Sequence, residues 1–375
     1  MKIKKELIYV SLLLLFLSIC LFRQVLFEGY LFQGGDALSP KAVRQGIESS
    51  MSETGEYPLW LPWMFSGLPS LHSFQNISQF YFPHVIIKGL MSIGVDRFWD
   101  FILHFVFAGI GMFLFLKRLK LHTLSACFGA VSYMLMPYLI TMIVHGHGSQ
   151  MMTTAYIPWV FFVLHRLKST PNLSNAGLLA LILGLQLQRA HVQIAYYTWM
   201  MVGLYLLYEI VHAYKTEKQL IPKHVLFAFP AFLLAIAMSM WIYLPAMSYT
   251  PFSIRGMGGG GGTGLEYATQ WSFSLGEMLT FLIPSFYGFG GATYWGSMPF
   301  TDYPNYMGII VFSFAIVGML NYKDRFRQFL IIASIFSLFI SFGHHFSAFY
   351  SLFYDYFPFF NKFRVCLSFK QVQKI

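Results

Sequence analysis

The sequence predicts an all-α polytopic membrane protein, a bundle of about nine transmembrane helices with two long outward-facing loops. Three observations carry this. Of the 375 residues, 57% are hydrophobic and only 11% charged, against roughly 25% charged in an ordinary globular chain. Crossing a bilayer takes about 20 apolar residues, and runs near that length occur at 7–27, 98–116, 123–144, 151–167, 174–190, 192–212, 224–246, 303–320 and 328–343. Basic residues fall in the short segments between alternate runs. The composition excludes disorder, a soluble α/β enzyme, a coiled coil and a disulfide-stapled module. Cys20, Cys127 and Cys366 are scattered, with no metal-like spacing.

The first run follows Lys2, Lys4 and Lys5 and continues past Cys20 to Phe27. Ile19 is too large for the residue before a lipoprotein cysteine, so the run reads as an uncleaved span, not a signal peptide. With the N-terminus in the cytoplasm, that tail faces inward with Lys117/Arg118/Lys120, Arg166/Lys168, Lys215/Lys218/Lys223 and Lys323/Arg325/Arg327. Together they hold 14 of the 25 basic residues. The net charge of +10 is therefore a topology signal and not a nucleic-acid footprint.

The outward loops, 28–97 and 247–302, collect the polar and irregular residues, and intramembrane or membrane-face polar groups are where function is sought. The first opens on Gln33-Gly34-Gly35-Asp36. Ser39-Pro40 predicts a helix start, with Ala42, Val43, Ile47 and Met51 on one face and Lys41, Arg44, Gln45 and Glu48 largely on the other. Asp36 would sit just ahead of this interfacial helix. The run from Tyr57 to Pro69 holds three prolines and a glycine in thirteen residues, which prevents a long helix. Its tryptophans fit an interfacial belt; the segment as a whole suits a cavity wall. Lys88 follows in the same loop.

His145-Gly146-His147-Gly148 reads as a polar turn, with a metal site as the alternative, although no HExxH motif or carboxylate partner accompanies it. Arg189, near Gln186, Gln188, His191 and Gln193, is either a snorkelling interface residue or an anion ligand. In the second loop, Arg255 precedes the glycines Gly258–Gly262. No Gly-Lys-Ser/Thr follows them, so a nucleotide-cradling loop is not expected. A flexible loop closing over substrate is the better use of such glycines, and Arg255 suits a phosphate.

Several blocks resemble the YfhO family of bacterial membrane proteins, most closely its Bacteroidetes members. They are Gly34-Gly35-Asp36, Tyr57-Pro58-Leu59-Trp60 through Phe65-Ser66-Gly67-Leu68-Pro69, Gln188 to Tyr197, Ser253-Ile254-Arg255-Gly256, Thr263 to Ser272, and Pro358 to Val365. The resemblance spans essentially the whole chain. It implies a GT-C-type fold over 1–375, a bacterial inner-membrane location, and transfer of a sugar from a polyprenyl-phosphate carrier to a cell-envelope acceptor on the outer face. It makes Asp36 the match for an acidic residue early in the first outer loop. The motif holds one acid and not an adjacent pair, which weakens the case for a divalent metal, and no other cofactor or nucleotide is expected. Family members usually continue beyond the position where this chain ends, and Cys366 stands where they have a proline. The chain is thus expected to be an N-terminal portion of a longer protein.

The chemistry assigns roles. A polyprenyl-phosphate sugar brings its own leaving group. Displacement needs a general base, Asp36, and cations on the departing phosphate, Arg255 with Arg189 or Lys88. His145, His147, His191 and Glu266 are candidates for binding sugar or acceptor. A transporter or flippase of lipid-linked sugars is the alternative, though paired repeats and broken helices are not evident in the sequence. A scaffold for envelope assembly is a third class.

Overall fold

The computed structural model describes residues 2–32, 35–73, 80–218, 220–253, 264–301, 303–321 and 323–364. The described chain is mostly helical. It runs α1 Lys2–Leu21, α2 Arg23–Phe27, α3 Gly35–Thr54, β1 Trp60–Leu61, β2 Leu68–Pro69, α4 Ser70–Ser73, α5 His84–Ser92, α6 Trp99–Arg118 and α7 Thr123–Met134. Then follow α8 Pro137–Val144, α9 Gly148–Thr154, α10 Ile157–Ser169, α11 Leu173–Gln188, α12 Val192–Glu217 and α13 Lys223–Tyr249. The last four are α14 Leu265–Thr269, α15 Ile309–Asn321, α16 Arg325–Ser341 and α17 Ser347–Tyr356.

Among the described residues four stretches are long and apolar enough to cross a membrane: Trp99–Arg118, Thr123–Val144, Val192–Thr216 and Lys223–Phe252. They coincide with the expected runs at 98–116, 123–144, 192–212 and 224–246. The bent pair α16 and α17 makes a fifth if it is one span; the chain turns by 112° between them. The other expected runs are shorter or interrupted. At 1.5 Å per residue, the 13 residues of α15 reach only about 20 Å, and the 16 of α11 about 24 Å, against a core of roughly 30 Å. The run at 151–167 is divided at Ala155 and Tyr156 between α9 and α10. The first run breaks at Phe22, which releases Arg23 to pair with Glu28 at 3.1 Å.

The chain divides into two compact units. The first comprises Met1–Met134, Met142–Val192 and Phe227–Tyr249. Here α6 packs against α1, α7, α9 and α10. Glycines set how close those helices come: a Cβ at Gly109 would meet Leu14 at 2.8 Å, and one at Gly111 would meet the Trp159 indole at 2.5 Å. Trp159 is fixed there, its indole N–H donating to the Phe107 carbonyl at 2.8 Å.

The helix expected from Ser39-Pro40 begins earlier, at Gly35. Asp36 therefore lies in its first turn and not ahead of it, where a carboxylate complements the helix dipole. Pro40 sits inside the helix, one turn beyond Asp36, where its missing N–H leaves one intrahelical bond unmade. Val43, Ile47 and Met51 are half-buried, as the pattern predicts, but so is Arg44, while Ala42 is exposed. The proline-rich run forms the hairpin β1–β2, whose turn places Phe65, Ser66 and Gly67 at positive φ. Leu61 is buried and Trp60, Trp63 and Phe65 are exposed.

The second unit comprises Leu135–Thr141, Gln193–Leu226 and Thr250–Ile375. Tyr197, Ala268, Ile340, Tyr350 and Phe360 form one core cluster, and Phe273, Phe281 and Phe342 another. The turn between α16 and α17 is a short 3-10 segment, Gly343–Phe346.

Candidate functional site

The first unit gathers its ionisable side chains around the start of α6. Asp100 lies in the first turn of α6 and His104 one turn later, both buried. The His104 Nδ1 is 2.7 Å from the Asp100 carbonyl oxygen and 3.2 Å from its carboxylate Oδ1. Both are acceptors, so Nδ1 carries the ring proton and Nε2 is left to accept. The Tyr81 hydroxyl stands 3.1 Å from that Nε2 and also hydrogen-bonds the Tyr156 hydroxyl. Burial pushes the Tyr81 hydroxyl up to about 12, so it remains a donor.

Arg189 closes this cluster. Its guanidinium lies 4.5 Å over the Tyr81 ring, within the field of Asp100, Tyr81 and Tyr156. At 4% exposure it is a buried cation, which removes the snorkelling reading. Gln188 beside it accepts from the Phe82 N–H at 3.4 Å and donates to the Met238 carbonyl at 3.2 Å, fixing the end of α11. His84, at the start of α5, lies 4.0 Å from Asp100 Oδ2. It feels Asp100 on one side and Arg97, Arg189 and Lys88 on the other; its pKa is lowered, chiefly by burial. Arg97 in turn bears on Arg44, whose pKa burial and that neighbour both lower, with Glu48 opposing.

Asp36 is paired in the same unit. Its Oδ2 lies 3.2 Å from His147 Nε2, with the carboxylate largely exposed. The turn His145-Gly146-His147 reverses the chain through Gly146 at φ +85°, and the His147 N–H donates to the Met142 carbonyl at 2.6 Å. This is the polar turn expected from the sequence, and the carboxylate partner that spacing did not reveal comes from α3. Among the described residues no three His, Cys, Asp or Glu side chains are placed to hold a metal ion.

In the second unit, three of the blocks that carry the resemblance meet. Gln193 Nε2 and the Tyr197 hydroxyl donate to the Arg364 carbonyl at 2.8 and 3.1 Å. The Tyr196 hydroxyl donates to the Pro358 carbonyl at 2.6 Å. The Arg364 guanidinium lies 4.3 Å over Tyr267 and 4.9 Å over Trp271. Glu266 and Tyr267 line an open cleft beside this cluster.

Of the residues singled out by sequence, Asp36 and His147 touch, and Lys88 and Arg189 act on one imidazole, His84. His145 and His191 are half-buried in the first unit, Lys88 is exposed on α5, and Glu266 is exposed in the second unit. Arg255, the glycines Gly258–Gly262, Gln33, Gly34 and the chain from Val365 onward lie outside the described residues. Asp100 and His104 were missed, yet an Asp and a His four apart inside an apolar run is a signal in itself. Tyr81, His84 and Tyr156 had none, since only folding brings them to α6. Comparison with protein-family models, with curated proteins and with solved structures finds no match to this chain.

Proposed function

We propose that this chain is a membrane glycosyltransferase, moving a sugar from a polyprenyl-phosphate carrier to a cell-envelope acceptor on the outer face of a bacterial inner membrane. In this reading the helices belong to a GT-C-like bundle of about nine spans with a cytoplasmic N-terminus. The observation that carries it is that Lys88, Arg97 and Arg189 all bear on His84, with Asp100 beside it and Glu48 beside Arg97. The charged groups that bear on His84 hold more cations than carboxylates, and a lipid-linked phosphate is an anion suited to such a field.

The step itself is a displacement. The acceptor hydroxyl oxygen bonds to the anomeric carbon as the bond from that carbon to the phosphate oxygen breaks, and the electron pair leaves on the phosphate. Asp36 takes the hydroxyl proton, and His147, paired to it, orients the carboxylate. Arg255, with Arg189 or Lys88 as a second contact, is the candidate to meet the charge that develops on the leaving group. His145 and His191 in the first unit, and Glu266 in the second, are each candidates for binding sugar or acceptor.

The test is transfer of labelled sugar from a panel of polyprenyl-phosphate donors in proteoliposomes, comparing the wild type with Asp36→Asn. The variant keeps shape and loses basicity, so transfer should fall by about two orders of magnitude at unchanged expression. Undiminished transfer would remove Asp36 from the mechanism. A transporter or flippase of lipid-linked sugars is the second reading, favoured by the 112° break between α16 and α17, since discontinuous helices build transport sites. Labelled lipid crossing the bilayer without transfer would select it.

A further inference from the structure

The cleft of the second unit has a volume of about 630 Å³, within the roughly 300–1,000 Å³ usual for small-ligand sites. Glu266, Gln270, Ser297 and His344 supply its polar walls, and Tyr267 and Met298 its apolar ones. Its lining includes no Lys or Arg, and the nearby Arg364 is held over the Tyr267 and Trp271 rings. Among the described lining residues an anion would therefore meet the Glu266 carboxylate with no Lys or Arg beside it.

The polar walls are biased towards accepting. His344 Nδ1 lies 3.1 Å from the Thr269 carbonyl oxygen, which can only accept, so Nδ1 carries the proton and Nε2 offers a lone pair. The Ser297 hydroxyl stands 3.3 Å from the Glu277 carboxylate. Its proton goes to that carboxylate, and with His345 Nε2 at 3.5 Å one lone pair is left for a ligand. Glu266 is acceptor-only, and Gln270 adds one acceptor and one donor group. A complementary ligand presents several hydroxyl donors, no negative charge and an apolar face for Tyr267 and Met298.

We propose that this cleft is a binding site for a neutral sugar. The inference stands on the cleft's own lining and does not require the donor chemistry assigned to the first unit.

Saturation-transfer NMR on the purified full chain in detergent tests it, with methyl glucoside, methyl galactoside and methyl N-acetylglucosaminide as probes. At least one should give a saturable signal. Gln270 is exposed, so Gln270→Ala leaves the fold intact, and it should weaken binding about three- to ten-fold, the worth of one hydrogen bond. His344→Asn keeps an N–H towards the Thr269 carbonyl and removes the Nε2 lone pair; a similar loss is expected. Inorganic phosphate should not compete, and Asp36→Asn should bind as the wild type does. The proposal is overturned if no sugar saturates, if both variants bind unchanged, or if phosphate or choline displaces the bound sugar. Sugar transfer without binding here would refute the cleft alone, and binding without transfer would refute the donor reading alone.

Discussion

The Tyr81 hydroxyl and His104 Nε2 lie 3.1 Å apart in the first unit, both residues buried, and they pair as donor and acceptor. His104 is locked as the Nδ1–H tautomer by the Asp100 carbonyl, so only a donor suits its Nε2. Tyr81, held protonated by burial, is that donor.

Tyr81→Phe should therefore cost about 1–3 kcal/mol, the penalty for orphaning a buried acceptor. His104→Leu should cost a similar amount. The double variant should be less destabilised than the sum by at least about 0.5 kcal/mol, because the two share one interaction. Thermal unfolding in detergent measures all three; strict additivity would mean that the pair carries no coupling.

His84 gives a pH dependence whose sign is fixed. Burial lowers its pKa, and the cations Arg97, Arg189 and Lys88 lower it further while Asp100 opposes. A folded-state value below the usual 6.5 or so means the unfolded chain binds the proton first. Stability should be flat above that value and fall as pH drops from it towards the folded value. Melting temperatures from pH 8 to 5 should show this decline in the wild type. His84→Gln should flatten it over the same window, and an unchanged slope in the variant would assign the decline to other groups.

How much of this was legible in the sequence depends on the distance between partners along the chain. The apolar runs at 98–116 and 192–212 register because each helix writes its own composition. Asp36 and its turn partner His147 were both visible as polar residues, yet nothing in their local patterns says that they pair across 111 positions. The helix around Asp36 was misplaced because Ser39-Pro40 is a strong local start, while the structure extends the helix back through Gly35. Arg189 was ambiguous for a related reason: snorkelling and burial look alike until Tyr81 is placed over it.

The Asp36–His147 pair separates chemistry from stability. Its carboxylate is 73% exposed, and exposed ion pairs contribute about 0–1 kcal/mol. Asp36→Asn and His147→Gln should each leave the melting temperature within a degree or two of the wild type. Loss of transfer in either would then report on the reaction and not on folding. A melting temperature lowered by many degrees would show that the turn between α8 and α9 depends on the pair, and would void that use of the variants.

Glu277 is the opposite case, a carboxylate whose role is structural. It is 1% exposed and accepts from the Ser274 N–H at 2.8 Å, the Ser274 hydroxyl at 3.0 Å, the Ser297 hydroxyl at 3.3 Å and the Tyr294 hydroxyl. Four donors on one acid suit the ionised form, which has acceptors only. Glu277→Gln keeps one oxygen for Ser274 but turns an amide N–H₂ towards Tyr294, whose oxygen already accepts from the Met298 N–H. The hydroxyls can reverse and the Ser274 N–H cannot, so the cost should be about 1–2 kcal/mol. Glu277→Leu strands all four donors, the backbone N–H included, and should cost about 3 kcal/mol or more. Thermal unfolding should rank the variants wild type, Gln, Leu. Hydrogen exchange should localise the damage to 264–301, where Ser297 lines the cleft. A Leu variant as stable and as protected as the wild type would mean that those donors find water, and that Glu277 does not hold this wall in place.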